Sequence, residues 1–155
     1  MGAFSVRQLL EQTADRRSSY GGGSAAALAC ALAAALVEKL AHRTGNALTA
    51  RRLRACCTSL IEADAKAFSR VVRAGARGDR QALRRALTVA TEIPCQVGEY
   101  AQQVLSIARR IRARVSPKYR ADLDCAQALA TAAKQSAQAL ATANRVWAKQ
   151  VTAHR

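Results

Sequence analysis

The sequence predicts an all-α protein, a single-domain helical bundle of about five to six helices that covers residues 1–155. Half of the residues are hydrophobic but only 4% are aromatic, because alanine supplies much of the apolar fraction. A core of alanine with interspersed leucine suits helices that pack closely. No run of β-branched residues shows the period of two that a half-buried strand requires. A chain of this length is sufficient for one domain with one core.

The first two helices are predicted from an amphipathic stretch and an alanine-rich run. Residues 4–16 have helical spacing of apolar side chains, which predicts a short amphipathic helix. Its apolar face comprises Val6, Leu9 and Leu10. After a loop, Ser24 is positioned to cap a second helix, which runs to about Thr44 and is ended by Gly45. Along this helix lies a row of leucines four residues apart: Leu28, Leu32, Leu36 and Leu40.

The later helices are separated by glycines, prolines and a capping aspartate. A third helix is predicted over residues 48–76, where two nearby glycines mark its end. Asp79 is placed to cap a short fourth helix, and Pro94 marks the join to a fifth, which extends to about Val115. The Ser-Pro pair that follows breaks the chain, and a last helix begins near Ala121 and runs toward the terminus.

The charge of the chain is strongly positive. Twenty arginines and five lysines stand against ten acidic residues, for a formal charge of +15. This balance favours an anionic partner such as nucleic acid, a membrane surface or a polyanionic small molecule; a merely solvated basic surface is an alternative of similar weight. The basic run over residues 109–114 has no adjacent aromatic residues for base stacking and matches no nucleic-acid-reading motif. We therefore do not expect nucleic-acid binding.

The cysteines and the apolar run bear on metal binding and location. The five cysteines form no CxxC pair, and neither histidine lies at ligand spacing from one, so no metal site is expected. No secretion signal is visible, which predicts a cytoplasmic protein with reduced thiols. The apolar run over residues 25–37 is shorter than the ~20 residues of a transmembrane helix, so no membrane association is expected.

Asp64 occupies an unexpected position on the third predicted helix. The apolar stripe of this helix comprises Cys57, Leu60, Ile61, Phe68, Val71 and Val72. Asp64 lies four residues from both Leu60 and Phe68, so it points along that stripe, whereas Glu62 and Lys66 pair on the outer side. Burial would raise the pKa of a carboxyl group and suit it to acid–base catalysis. The alternative is an internal salt bridge with one of the many arginines.

Four motifs, in order and at compatible spacing, resemble those of the cyclodeaminase/cyclohydrolase family. They are GGGSAAALACALAAALV at 21–37, EADAKAF at 62–68, EIP at 92–94 and ADL at 121–123. This family includes the cyclodeaminase half of formiminotransferase-cyclodeaminase and stand-alone methenyltetrahydrofolate cyclohydrolases. The resemblance covers nearly the whole chain. It implies a folate-dependent one-carbon enzyme, either a formiminotetrahydrofolate cyclodeaminase or a methenyltetrahydrofolate cyclohydrolase.

The resemblance also implies roles for particular residues. The catalytic acid of the family aligns with Asp64, the residue that helical spacing marks independently. The implied substrate-binding residues are Gly21, Gly22, Gly23, Ser24, Asp122 and Asn144. Consecutive glycines before a helix permit close approach of a backbone or ligand, and a helix N-terminus favours anions; a turn with positive φ is the alternative. Asp122 equally suits the first turn of a helix, and Asn144 equally suits an exposed position.

The expected ligand is a tetrahydrofolate derivative with one or several glutamates, and no cofactor or metal is expected beyond this substrate. The resemblance places the folate pocket between two subunits, and the alanine-rich helix also favours a homodimer. Candidate groups for the glutamate tail are Arg51, Arg52 and Arg54, which equally suit a solvated face. Tyr20, Ala121 and Leu140 replace Pro, Ser and Asn of the family pattern. The alternative is thus a catalytically degenerate dimeric member that only binds folate or another anion.

Overall fold

The computed structural model describes residues 5–153 and confirms the all-α prediction. Within this range there are five α-helices, two short 3₁₀ turns after the fourth helix, and no strand. The helices pack as one helical domain. Their bounds are α1 (Val6–Ala14), α2 (Gly22–Ala41), α3 (Ala47–Ala76), α4 (Arg80–Ile111) and α5 (Arg120–Ala153).

Helix α2 is the centre of the bundle, in contact with α3, α4 and α5. Its buried positions are mostly alanine, because small side chains let three neighbouring helices approach its backbone. The buried apolar residues of α2 are Ala26, Ala27, Cys30, Ala31, Ala33, Ala34, Val37 and Ala41. The leucine row lies at the edge of this core face: Leu32 is 49% exposed, whereas Leu36 and Leu40 are partly buried and pack against the core.

The start of α2 differs from the prediction that Ser24 caps it. The helix begins at Gly22 with Gly21 as its N-cap, and no side chain caps it. Ser24 is the third residue of α2, and its hydroxyl group is directed toward α3. The helix ends at Ala41, three residues before the predicted end at Thr44. By contrast, Asp79 caps α4 as predicted, accepting a hydrogen bond from the Ala82 N–H at 2.9 Å.

The predicted join at Pro94 is wrong, because α4 is one helix of 32 residues that contains this proline. A proline inside a helix has no N–H to donate to the carbonyl four residues earlier, which here belongs to Ala90. The Asn144 side chain on α5 supplies the missing donor: its Nδ2 lies 3.0 Å from the Ala90 oxygen. This bond from a neighbouring helix lets α4 continue through Pro94, and no local sequence signal reveals it.

Helix α1 contributes little to the core. Leu9 is buried, but Val6 and Leu10, predicted to share its apolar face, are 69% and 59% exposed. Residue 4, where this helix was predicted to start, lies outside the described residues. Helix α2 is long and apolar enough to satisfy a composition test for a membrane span, but half of that span is buried against the rest of the protein. The core helix of a bundle satisfies the same test.

Candidate active site

Asp64 lies near the middle of α3, half-buried, where α3 packs against the start of α2. The predicted apolar stripe that contains Asp64 is only partly buried in the core. Leu60, Cys57 and Val71 are buried, whereas Phe68 and Val72 are 41% and 51% exposed. Asp64 therefore sits at the edge of the core, where its carboxyl group is desolvated without being enclosed.

Ser24 is the side-chain hydrogen-bond partner of Asp64. Its hydroxyl is buried, with Oγ 3.0 Å from Oδ2 of Asp64 and 3.1 Å from the carbonyl oxygen of Ile61. The Ser24 backbone N–H also donates to the Asp64 carboxylate. A hydroxyl group has one hydrogen to donate, and here it has two acceptors in reach.

This arrangement satisfies both protonation states of Asp64. When the carboxyl group is ionised, the Ser24 hydroxyl donates to Oδ2. When it is protonated on Oδ2, the carboxylic acid can donate to Oγ, and the hydroxyl turns its hydrogen to the Ile61 oxygen. Neither protonation state leaves a buried donor or acceptor of Ser24 unpaired. Protonation and deprotonation of Asp64 therefore cost little hydrogen-bonding free energy at this serine.

The three glycines before α2 have different surroundings. A Cβ at Gly23 would overlap Oδ1 of Asp64, a Cβ at Gly22 would lie 3.4 Å from a methyl group of Leu140, and nothing lies within 4 Å at Gly21. None of the three has a positive φ, so the alternative of a turn in the left-handed region is wrong. Close approach is the reason for glycine at position 23, and what approaches it is the Asp64 carboxylate.

Burial raises the pKa of the Asp64 carboxyl group above its ordinary value, while the hydrogen bonds from the Ser24 hydroxyl and backbone N–H partly oppose this shift. The direction agrees with the expectation from the apolar stripe. The alternative, an internal salt bridge, is absent: among residues 5–153, no Arg or Lys forms an ion pair with Asp64. The acid is thus held by neutral donors alone.

A cavity of about 350 Å³ lies next to this part of the structure. Its lining includes Tyr20, which precedes the glycines, and Ala65, which follows Asp64. Lys66, Arg70 and Arg73 add positive charge to its wall, although Lys66 also pairs with Glu62 at 3.2 Å as predicted. Asp64 itself is not among the lining residues.

Asp122 lies far from Asp64 within one chain. It is in the first turn of α5, and its Oδ2 accepts a hydrogen bond from Nζ of Lys39 at 3.1 Å. Lys39 is in the last turn of α2, about 22 Å along the helix from Ser24 at about 1.5 Å per residue. The structure therefore does not bring Asp122 to the start of α2, and the first-turn position agrees with the alternative interpretation.

Asn144 lies closer to the start of α2. Leu140, one turn before it on α5, contacts the Gly22 position. However, the Asn144 amide already donates to the Ala90 carbonyl, as described above. Its position is therefore explained by the support it gives to α4, without a ligand.

Two of the three arginines suggested for a glutamate tail are engaged elsewhere. Nε of Arg51 and Nε of Arg54 lie 2.9 and 2.7 Å from the two carboxylate oxygens of Glu38, near the end of α2. The hydrogen bond from Arg54 is the largest cause of a lowered pKa at Glu38, and the hydrogen bond from Arg51 is the second largest. Arg52 is exposed. In the part of the chain from 5 to 153, no group of three or more His, Cys, Asp or Glu side chains converges as metal ligands would.

Comparison with solved structures identifies the class of fold. The bundle superposes on the formiminotetrahydrofolate cyclodeaminase of Thermotoga maritima with a TM-score of 0.80 and 20% sequence identity. The match covers 96% of this chain and 85% of that chain. The protein thus has a cyclodeaminase-like helical fold.

Comparison with protein families identifies the family itself. Residues 5–149 match the model of the formiminotransferase-cyclodeaminase family. The chain therefore belongs to this family of folate-related enzymes, which confirms the resemblance found in its motifs. Among curated proteins, none matches this sequence.

Proposed function

We propose that the protein is a folate-processing enzyme of one-carbon metabolism, with Asp64 as its general acid and base. The observation that carries this proposal is the setting of Asp64: a half-buried carboxyl group with a raised pKa, held by Ser24 and Gly23 and without a cationic partner. Structural carboxylates at such depth are normally paired with a positive charge. Membership of the formiminotransferase-cyclodeaminase family supports a tetrahydrofolate derivative as the substrate.

Two reactions fit a single carboxyl group of this kind. In cyclodeamination, N10 of protonated 5-formiminotetrahydrofolate attacks the formimino carbon and gives its proton to the carboxylate of Asp64; the resulting acid passes that proton to the amine, the bond between carbon and amine breaks, and ammonia departs from the 5,10-methenyl product. In cyclohydrolysis, the carboxylate takes a proton from the water that attacks the methenyl carbon and returns it to the ring nitrogen as the bond between carbon and that nitrogen breaks; the remaining hydroxyl proton leaves to solvent and a formyl group is formed. Burial raises the pKa of Asp64 toward neutral pH, and this direction favours a group that acts as both acid and base. The proposal therefore covers a cyclodeaminase and a cyclohydrolase.

The active form that we propose is a cytoplasmic homodimer that uses polyglutamylated or monoglutamylated substrate. A second copy of the chain would be needed to bring an Asp122 carboxylate near Asp64, since Asp122 lies at the other end of α2 in the same chain. One alternative is favoured by a specific observation: Asp122 and Asn144 both have partners within the chain, Lys39 and Ala90. This favours a degenerate family member that binds folate or another anion without turnover.

The test follows the near-ultraviolet absorbance of 5,10-methenyltetrahydrofolate, which forms from the formimino substrate and disappears on hydrolysis. We expect turnover by the natural protein and a loss of about 10²–10⁴-fold in kcat in Asp64→Asn, because the amide does not shuttle a proton near neutral pH. Asp124→Asn is the matched control, since it makes the same substitution at an exposed carboxylate on α5 that pairs with Arg112 at 2.7 Å. Folate binding without turnover would favour the degenerate alternative, and full activity in Asp64→Asn would refute the assigned mechanism.

A further inference from the structure

A second cavity, of about 370 Å³, lies in the angle between the end of α3 and the start of α4. Four arginines line it: Arg70, Arg73, Arg77 and Arg85. The rest of its wall is largely alanine and valine. Asp64 does not line this cavity, which adjoins the cavity beside Tyr20 through the shared residues Arg70 and Arg73.

The helix geometry explains why these arginines converge. Arg70, Arg73 and Arg77 follow one another at spacings of three and four residues, which places them on one face of α3. Gly78, with φ of 66°, lets the chain reverse between α3 and α4. Arg85, in the second turn of α4, then faces the other three across the cavity.

Acidic side chains do not balance the charge of these arginines, because a single aspartate lines the cavity beside four guanidinium groups. Asp79 is the one acid among the lining residues, and its Oδ1 is occupied by the N–H of Ala82 as the cap of α4. Within residues 5–153, none of the four forms an ion pair, whereas arginines elsewhere pair with Asp15, Glu38 and Asp124. Like charges at helical spacing destabilise one another, so an anion in this cavity would relieve a repulsion already built into the fold.

We propose that this cavity binds a small multivalent oxyanion, with two or more phosphate or carboxylate groups. A planar guanidinium group can donate two parallel hydrogen bonds to a phosphate or a carboxylate group. Four guanidinium groups around one cavity therefore suit a ligand with several negative charges. The volume lies within the range of small-molecule sites, roughly 300–1,000 Å³.

Two sources of such an anion are distinguishable. The cavity beside Tyr20 shares Arg70 and Arg73 with this one, so a substrate bound near Asp64 could extend its anionic tail into the site. Alternatively, the ligand is a free anion with no connection to the active site. Both sources present the same oxyanion chemistry to the arginines, and the proposal does not depend on the proposed catalytic function.

Isothermal titration calorimetry tests the site. The affinity of the full chain for sodium triphosphate and for a tri-glutamate peptide is measured at fixed ionic strength. We expect saturable binding of at least one probe, weakened about tenfold or more in Arg77→Gln/Arg85→Gln, because each substitution removes a charged group that donates paired hydrogen bonds to the anion. The matched control is Arg109→Gln/Arg110→Gln, two exposed arginines at the far end of α4, which should leave the affinity unchanged. Circular dichroism shows whether each variant retains its helical fold. If Arg77→Gln/Arg85→Gln unfolds, the single variant Arg85→Gln is titrated in its place.

The outcomes separate the two sources and can overturn the proposal. Tighter binding of a triglutamyl folate than of its monoglutamyl form, lost in the variant, identifies the substrate tail; triphosphate binding unaffected by folate identifies a free anion. Absence of saturable binding of both probes overturns the site. Equal weakening in both double variants also overturns it, since diffuse surface charge then explains the binding. Preferential binding of a single-stranded oligonucleotide through the same arginines would overturn it in favour of a nucleic-acid surface.

Discussion

The Cα atom of Gly23 lies against the carboxylate of Asp64 so closely that a Cβ at position 23 would overlap Oδ1. The backbone conformation does not require glycine here, because φ at this position is not positive. The requirement comes from the acid on the neighbouring helix. This contact ties the GGGS segment and the Asp64 segment, 40 residues apart in sequence, into one structural unit with Ser24 between them.

Gly23→Ala should therefore destabilise the protein by about 1–3 kcal/mol, the usual cost of overpacking, and displace the Asp64 carboxylate. Urea denaturation measures the loss. Most of it should disappear when Asp64→Ala removes the carboxylate in the same chain, because the overlapping atoms are then gone. The control is Gly75→Ala in α3, where nothing lies within 4 Å and alanine should stabilise the helix by about 0.5–1 kcal/mol. Equal losses with and without Asp64 would contradict this explanation.

Ser24→Ala should raise the pKa of Asp64 further, because the hydroxyl donates to the ionised form and lowers this pKa. The natural protein already binds the Asp64 proton more tightly when folded than when unfolded. Its stability should therefore fall as pH rises from the unfolded pKa, near 3.8, through the folded pKa, and then level off. In Ser24→Ala this fall should extend to higher pH.

Urea denaturation over a pH series measures this contribution, and NMR of the Asp64 carboxyl carbon follows the titration directly. Ser59→Ala, at an exposed serine on α3 that donates to the Cys56 carbonyl, is the control and should leave the titration of Asp64 unchanged. Asp64→Asn should lack the fall in stability altogether. A titration in Ser24→Ala at the natural or a lower pH would show that the hydroxyl does not stabilise the ionised form.

Asn144→Ala should cost about 1–3 kcal/mol, because it leaves the buried Ala90 carbonyl without a donor. In a Pro94→Ala background the cost should be much smaller, since alanine at position 94 has an N–H for that carbonyl. A double-mutant cycle by urea denaturation measures this coupling. Gln138→Ala, at an exposed position on α5, is the control. Additive effects of the two substitutions, or a rise in KM without loss of stability, would favour a substrate-binding role for Asn144 instead.

Much of the fold was predictable because helical periodicity and capping act over a few residues. The bounds of α3, the start of α5 and the Asp79 cap agree with expectation within a residue or two. Pro94 led to a wrong prediction of a helix boundary, because the group that compensates for its missing N–H is the Asn144 side chain. This side chain is 54 residues away in sequence from the Ala90 carbonyl to which it donates. Local rules assign a break to such a proline, and only packing between α4 and α5 restores the missing bond.

The candidate site was predictable in its acid but not in its partners. The spacing of Leu60, Asp64 and Phe68 drew attention to Asp64, although Phe68 proves to be exposed. Ser24 was interpreted as a cap, since serine before an alanine-rich run fits that role. Its spacing of three from Ala27 and seven from Ala31 places it on the buried face of α2, and this signal could have identified its role. The separation of Asp122 from Asp64 depends on how the helices pack, which periodicity does not encode.

The Lys39–Asp122 pair gives the last test, because it decides whether Asp122 acts within its own chain or on a substrate. Both side chains are more than a third exposed, at 62% and 41%, so the pair should contribute at most about 1 kcal/mol. Asp122 also stabilises the first turn of α5 by about 0.3–1 kcal/mol through the helix dipole. If these are its only roles, Asp122→Asn should lower stability slightly and leave kcat and KM unchanged.

Lys39→Gln provides the comparison, since it breaks the same pair and retains the carboxylate at the helix start. We expect the double variant to cost less stability than the sum of the two single variants, because both substitutions remove the same ion pair. Steady-state kinetics on the formimino substrate complete the test. A KM that rises in Asp122→Asn but not in Lys39→Gln would contradict a purely structural role. Since Asp122 is at the far end of α2 from Asp64 in one chain, that result would mean that the substrate site is completed by a second subunit.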